Sequence, residues 1–473
     1  MKHKISNLVY LPGTPVIKTQ IPKPQISKPH ISKPNTNLNS KVDSTLQNTN
    51  LVPFYIYTGS AYNFYNQCIS DYGPNATIIK RFNTTDRDYK HATSFKFLEG
   101  IENHPSRTRN PENAKLFVVP ALIGHVVRHS GGMNNNNKRA TCKGLSAKTM
   151  IRRLSFSLSK SKYWKKNNGI DHVLVDTDFR ITNLGKEFSS IKHFLRNMTV
   201  GFHVRSPIID LNNQSGHQKG KDFGKTPIWA CTVLVPMNER EIDVDTKLSF
   251  EEFEKRKFEL FFMGQWDGRA GYVMRKRMYR IVTEHLGTYA KKVKNSKNHG
   301  FRYENKTTNY IYVNGNEKSN LSHCNFDNFT KTDHFNCKSD MTHWNHYPKL
   351  LGQSKFALAM SGDNAGSTRY FDAPNSGTIP IFIADQAFTD GLPFVGKVPW
   401  RDFSFFLPES SDKELKKELV AILNVDRGIL RRKFEMLMRY RDEISWTRNA
   451  TKVGENFLEE AWRRCVQPFV GGK

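Results

Sequence analysis

At 473 residues, with 37% hydrophobic and 12% aromatic content, the chain can bury two cores of ordinary size and is of the globular type, which excludes a fibrous or wholly low-complexity protein. Its net charge of +28 is read either as a solvated basic surface or as attraction to polyanions such as acidic glycans, a membrane surface or nucleic acid. No nucleic-acid fold signature accompanies the charge, so no nucleic-acid partner is expected.

Residues 1–50 are rich in Lys, Pro, Ser and Asn, with a repeat in Ile21-Pro-Lys-Pro, Ile26-Ser-Lys-Pro and Ile31-Ser-Lys-Pro, and are expected to form a disordered basic stem or tail. A first α/β domain is expected over 51–240. It opens with a buried strand at Val52 to Tyr57 and a helix at Tyr62 to Ser70, and continues with a strand at Leu116 to Pro120 whose extension carries His125. Gly169 to Asp176 and Ile228 to Val235 supply further strands. Asp176-Thr-Asp178 ends the former. A carboxylate pair after a buried strand is one way to hold a divalent ion on a diphosphate, although an ordinary polar strand end has the same pattern.

The second domain is placed at 241–445. Phe258 to Gly264 reads as a strand and glycine turn, Arg275 lies in the helix that follows, and residues 287–345 read as a long basic insertion without periodicity. Ser354 to Asp385 forms one strand–loop–helix–strand unit. The apolar run Phe356 to Met360 predicts a strand buried on both faces, and Ser361 to Gly366 a glycine-bearing turn. Ser367 is placed to cap the next helix and Gly377 to end it in a left-handed conformation. Backbone N–H groups at such a loop attract phosphate, Arg369 adds a cation, and Asp372 follows on the same face by i,i+3 spacing. A diphosphate beside a ribose diol suits this set, and a surface ion pair is the plainer alternative. Apolar spacing at Leu415, Leu419 and Ile422, and at Ile429, Phe434 and Leu437, predicts two later helices, with a terminal segment at 446–473.

The unit at 354–404 resembles the exostosin family, glycosyltransferase family 47. The resemblance rests on Ser354-Lys-Phe, Leu358, Gly362, Ser367, Arg369, Asp372-Ala373, Gly377, Ile379-Pro-Ile381, Asp385, Pro393-Phe394 and Trp400-Arg-Asp-Phe-Ser404. Weaker similarity lies at Arg109 to Pro120 and at Tyr163-Trp164 followed by Gly169-Ile-Asp-His to Asp176. Ala357, Met360, Thr378 and Pro374 depart from the family pattern.

The resemblance implies an α/β fold of GT-B type, two Rossmann-like domains facing a cleft, with the terminal segment crossing back to the first. It implies an inverting glycosyltransferase that uses a nucleotide sugar, UDP-linked, and a glycan acceptor, possibly acidic, with no metal cofactor. Gly264, Arg275, Ser361, Gly362, Ser367, Arg369 and Asp372 become donor-site candidates, and His125 and Asp178 candidates for the general base. Two alternatives stand beside it: an inactive polyanion-binding protein that retains the fold, and a metal-dependent GT-A-type transferase using Asp176 and Asp178.

The six cysteines show neither C-x-x-C nor a Cys/His metal spacing; Cys324–Cys337 is the pairing expected if disulfides form, and free buried thiols are the other reading. Eight N-x-S/T sequons, among them Asn449, lean toward secretion. The sequence carries no apolar run of about 18 residues, so the Golgi lumen, with an anchor not seen in this chain, is expected from the resemblance alone.

Overall fold

The computed structural model describes residues 52–64, 92–129, 146–182, 184, 188–205, 229–239, 248–265, 273–282, 300–304, 310–316, 347–361, 366–385 and 387–470. The expectations for residues 1–50, for most of the helix at 62–70 and for Cys324–Cys337 lie outside them.

Five short strands build the first sheet: β1 (Phe54–Ile56), β2 (Leu116–Val118), β3 (His172–Val175), β4 (Thr199–Phe202) and β5 (Cys231–Leu234). They lie side by side in chain order and are all parallel. Each is three or four residues long and β2, β3 and β4 are buried throughout, which is why they read as unbroken apolar runs rather than as an alternating pattern. Helices α1 (Thr93–Glu102) and α2 (Ile123–His129) belong to this half.

The Asp171-His172 pattern has a structural task here. His172 is fully buried between its neighbours, one ring nitrogen 2.8 Å from the Asp171 carboxylate and the other 2.9 Å from the Tyr57 hydroxyl. This chain of hydrogen bonds ties the end of β1 to the start of β3.

The second sheet has the order β11-β10-β9-β6-β8-β7, where β6 is Phe258–Gln265, β7 Gly300–Glu304, β8 Tyr310–Asn316, β9 Ser354–Met360, β10 Ile379–Ile383 and β11 Phe405–Leu407. Only β7 runs antiparallel to its neighbour. The hairpin β7–β8 shows that the stretch read as a long insertion without periodicity, 287–345, contributes two strands to the sheet. Tyr310-Ile-Tyr-Val313 lies parallel to β6, and the ladder with β6 supplies an order that the polar flanks conceal. Helices α3 (Val273–Arg280) and α4 (Arg369–Asn375) complete the parts used below.

The chain leaves the first sheet at Val235 to Glu239 and comes back at Ile444 to Thr447, where the Trp446 indole donates to the Pro236 carbonyl (2.8 Å). Helix α5 (Val453–Glu460) then packs on the first half. Phe457 meets Phe97 of α1 edge to face, with ring centroids 5.1 Å apart, and Cys465 forms a disulfide with Cys231 at the start of β5. That crosslink joins residues 234 apart in sequence, and in the chain-entropy picture a closed loop of this size restricts the unfolded chain by roughly 5 kcal/mol. Among the described residues no helix is long and apolar enough to cross a membrane.

The two sheets meet through the carboxyl ends of their strands. Past β4, the Arg205 N–H donates to the Asp390 carbonyl (3.0 Å), and Asp390 follows β10. Gly366, which follows β9, lies against His203 and Val204. Two parallel α/β sheets with their carboxyl edges turned toward one another form the GT-B architecture; the GT-A alternative is not the fold observed.

Candidate functional site

Helix α4 is short because both of its ends are fixed by local chemistry. At its close, Gly377 sits at φ +65°, its N–H donates to the Pro374 carbonyl and the Thr378 N–H to the Ala373 carbonyl, so the last carbonyls are satisfied by a Schellman turn. Pro374 falls in the last turn, where the bond its missing N–H removes is the one to the Tyr370 carbonyl.

The start differs from expectation. Thr368, not Ser367, occupies the cap position and makes no side-chain capping bond, because the Tyr370 N–H already bonds the Ser367 carbonyl and winds the chain one residue early. The Ser367 hydroxyl is therefore left over. The residue is 5% exposed, and its oxygen has no hydrogen-bond partner among the described residues. The Tyr370 hydroxyl, on a fully buried side chain, is in the same condition, and burial pushes its pKa up. Such atoms call for an explanation, among them an ordered water or ion or a role in catalysis.

Arg369 lies half-buried with its guanidinium 5.5 Å from the ring centroid of Phe262 on β6, a cation–π contact that fixes its direction. Asp372 has a different setting from the one read in the sequence. It is 1% exposed and accepts a hydrogen bond from the Tyr347 hydroxyl (3.1 Å), so the carboxylate is held inside the fold.

Arg275, on α3, is buried and donates from Nε to the Ser361 carbonyl (2.8 Å), which holds the loop after β9 against the neighbouring helix. Gly264 stands within β6, opposite Gly315 of β8, and not in a turn beyond it. Gly362 lies outside the described residues.

Sequence reading missed Arg256. In Lys255-Arg-Lys257 it looks like a solvated charge, yet its guanidinium donates to the carbonyls of Ser354, Ser376 and Gly377 and to the Thr378 hydroxyl, at 2.8–3.0 Å. It pins the end of α4 to the start of β9. Local sequence holds no signal for this, because all its acceptors lie about 100 or more residues away.

On the facing edge, Asp176 ends β3 with both oxygens engaged: Gly124 donates its N–H at 2.7 Å and Asp178 at 3.1 Å. Gly124 has no alternative, since a Cβ there would lie 2.8 Å from Asp176 Oδ1 and 2.8 Å from the Asp178 Cβ. Asp178 is buried and pairs with Arg180 at 3.1 Å. The two carboxylates thus have local partners, and among the described residues no group of three or more His, Cys, Asp or Glu side chains is placed to hold a metal ion. His125 falls inside α2, not on an extension of β2, because helical bonding resumes at Ile123 directly after Ala121-Leu122. Another residue that sequence reading passed over is His203, buried beside Gly366 where the two sheets meet.

Burial pushes Asp176 up to about 8, against the pull of its N–H partners, and Glu239, on the linker, up to about 7. In the folded state both hold a proton to higher pH than in the unfolded chain. Their contribution is therefore complete below about pH 4, declines as pH rises and is gone above about pH 8. Thermal unfolding at constant ionic strength should give a Tm that falls between about pH 4 and 8, and Glu239→Gln should flatten the lower part of that fall. A Tm that stays level or rises contradicts this.

Comparison with known proteins adds the family. The Exostosin GT47 domain matches residues 50–423. Among solved structures, a GtfA/B complex is similar at 10% identity and TM-score 0.31 over 68% of this chain, and the match takes in only 61% of that one. An alpha-glucosyltransferase (AGT) in complex with UDP is similar at 12% identity and TM-score 0.34, over 83% of this chain and 96% of that one. WaaG, a glycosyltransferase involved in lipopolysaccharide biosynthesis, is similar at 11% identity and TM-score 0.31, over 89% and 100%. With the family domain matched over most of its length, the chain belongs to the exostosin GT47 family of glycosyltransferases.

Proposed function

We propose that the protein is an inverting transferase that moves a sugar from a nucleotide-sugar donor, UDP-linked, to a glycan acceptor. The observation that carries this reading is the buried Ser367 hydroxyl, which has no hydrogen-bond partner among the described residues, two positions before Arg369, whose guanidinium lies over Phe262, at the carboxyl edge of a parallel sheet. The donor diphosphate would lie at Ser367 and Arg369, within the half at 241–445, near Ser361, whose carbonyl Arg275 holds, with Gly362 and Gly264 as further donor-site candidates. The acceptor would enter from the half at 51–240.

In the transfer an acceptor hydroxyl oxygen bonds to the anomeric carbon as the bond from that carbon to the diphosphate oxygen breaks. The bonding pair leaves with the diphosphate, whose added charge Arg369 and Ser367 are placed to stabilise. The hydroxyl proton passes to a base on the facing edge, for which Asp178 and His125 are the candidates. In this reading no metal is needed. Asp176 has both oxygens on N–H groups and is pushed toward its neutral form, which makes it a poor ligand for a cation. The disulfide between Cys231 and Cys465 suits an oxidising lumen such as the Golgi, and the charge of +28 suits an acidic acceptor.

A panel of UDP- and GDP-sugars, scored for protein-dependent donor hydrolysis and for thermal stabilisation, tests this proposal. Turnover of one donor that survives EDTA is the expected result. Activity lost in EDTA and restored by Mn²⁺ would return Asp176 and Asp178 to the metal role. Binding of acidic glycan with no turnover of any donor would favour the inactive polyanion-binding alternative.

A further inference from the structure

Glu239 is fully buried on the linker between the two sheets, and its neighbours come from two distant parts of the chain. Its Oε1 accepts from the Thr447 N–H (2.7 Å), from the Thr447 hydroxyl (3.0 Å) and from the Ser445 hydroxyl. Asn375, the last residue of α4, completes the cluster: its Nδ2 donates to the Thr447 hydroxyl (3.0 Å), and its Oδ1 lies 3.0 Å from the Ser445 hydroxyl. One carboxylate oxygen thus gathers the outgoing linker, the returning segment and the far end of the helix that carries Arg369. Oε2, by contrast, has no partner among the described residues.

A buried carboxylate with one oxygen idle is costly unless the bonds of the other are worth keeping. The bonds here join two chain crossings to one helix, and a displacement at Asn375 moves Arg369, six residues away on the same rigid turn pair, by a comparable amount. We propose that Glu239 is a positioning residue for donor binding, holding α4 at a fixed distance from the linker between the sheets. The inference rests on the donor site proposed at Ser367 and Arg369.

The test compares Glu239→Ala with Glu239→Gln, reading donor KM, acceptor KM, kcat and Tm on the full chain with the donor found in the panel. Glutamine keeps an acceptor at Oε1 and places its amide where no partner is lost. Glu239→Ala should raise donor KM roughly tenfold while acceptor KM moves less than about twofold, the scale of coupling within one hydrogen-bonded network, and Glu239→Gln should restore most of it. A lower Tm with both KM values unchanged would make Glu239 a structural bolt and overturn the inference. Equal shifts in both KM values would overturn it too.

Should Glu239→Ala fail to fold, Thr447→Val removes the hydroxyl that links Asn375 to Glu239 and should raise donor KM alone; no change in that variant has the same negative meaning. Arg369→Ala run in parallel separates the two levels. If it is inert the donor site itself is misplaced, and if it is crippled while Glu239→Ala is silent, only the role of Glu239 fails.

Discussion

Arg369→Ala should lower kcat and kcat/KM together, by about 10²–10³-fold, the range seen when one preorganised donor to a developing negative charge is removed. The guanidinium has a defined place, because it lies over the Phe262 ring, 5.5 Å from its centroid. Its effect should grow as the leaving diphosphate gains charge, so the loss appears in turnover and not in donor KM alone. Arg369→Lys should recover little, since an ammonium on a flexible stem neither stacks as a plane nor presents two parallel donors. Steady-state kinetics on variants with wild-type circular dichroism checks this. Wild-type kcat in Arg369→Ala would leave the residue a surface cation and the proposed site without its charge. Asp372→Asn should act differently, chiefly on stability, because that carboxylate is buried against Tyr347.

The second large effect is expected at Gly366. A Cβ there would lie 2.8 Å from Val204 Cγ1 and 2.9 Å from the His203 carbonyl oxygen. A side chain can turn, but the carbonyl is backbone, one residue past the end of β4, and cannot. Gly366→Ala must therefore push the loop after β9 off the facing edge by a few tenths of an ångström or more. Displacement near reacting groups is expensive, and a fall in kcat/KM of roughly 100-fold is expected with only a small change in Tm. The double variant Gly366→Ala with Val204→Ala should recover part of the loss, because it relieves one of the two contacts. Full activity in Gly366→Ala would mean that this seam opens during turnover and that its closed spacing does not matter.

What the sequence showed and what it hid follow from the range of the interactions. Buried strands such as Phe356 to Met360 and Ile379 to Ile383 were legible because burial on both faces demands continuous apolar residues, and Gly377 because a left-handed turn end favours glycine. The β7–β8 hairpin was not legible, since its place depends on β6, far away in sequence. At the candidate site, Arg369 and Ser367 could be picked out by their place after a strand and a glycine loop. Their partners could not. Nothing local tells that Asp372 meets Tyr347, that Arg256 holds the end of α4, or that Glu239 reaches Ser445 and Thr447 more than 200 positions later.

The return of the chain to the first half bears on how the molecule is made. Synthesis runs from the amino end, and the first sheet is complete once β5 has emerged, but the residues that cover it, Phe457 of α5 and Cys465, follow the whole of the second sheet. Until they arrive, Phe97 lacks its aromatic partners Trp446 and Phe457 and Cys231 is an open thiol. The amino-terminal half therefore waits, with apolar surface exposed, through the synthesis of the entire second sheet, the interval in which a nascent chain is most dependent on chaperones. Its completion depends on the segment from Val453 to Cys465, more than 200 residues beyond β5, so a ribosome that stops short of Cys465 leaves both sheets translated and the first one unfinished.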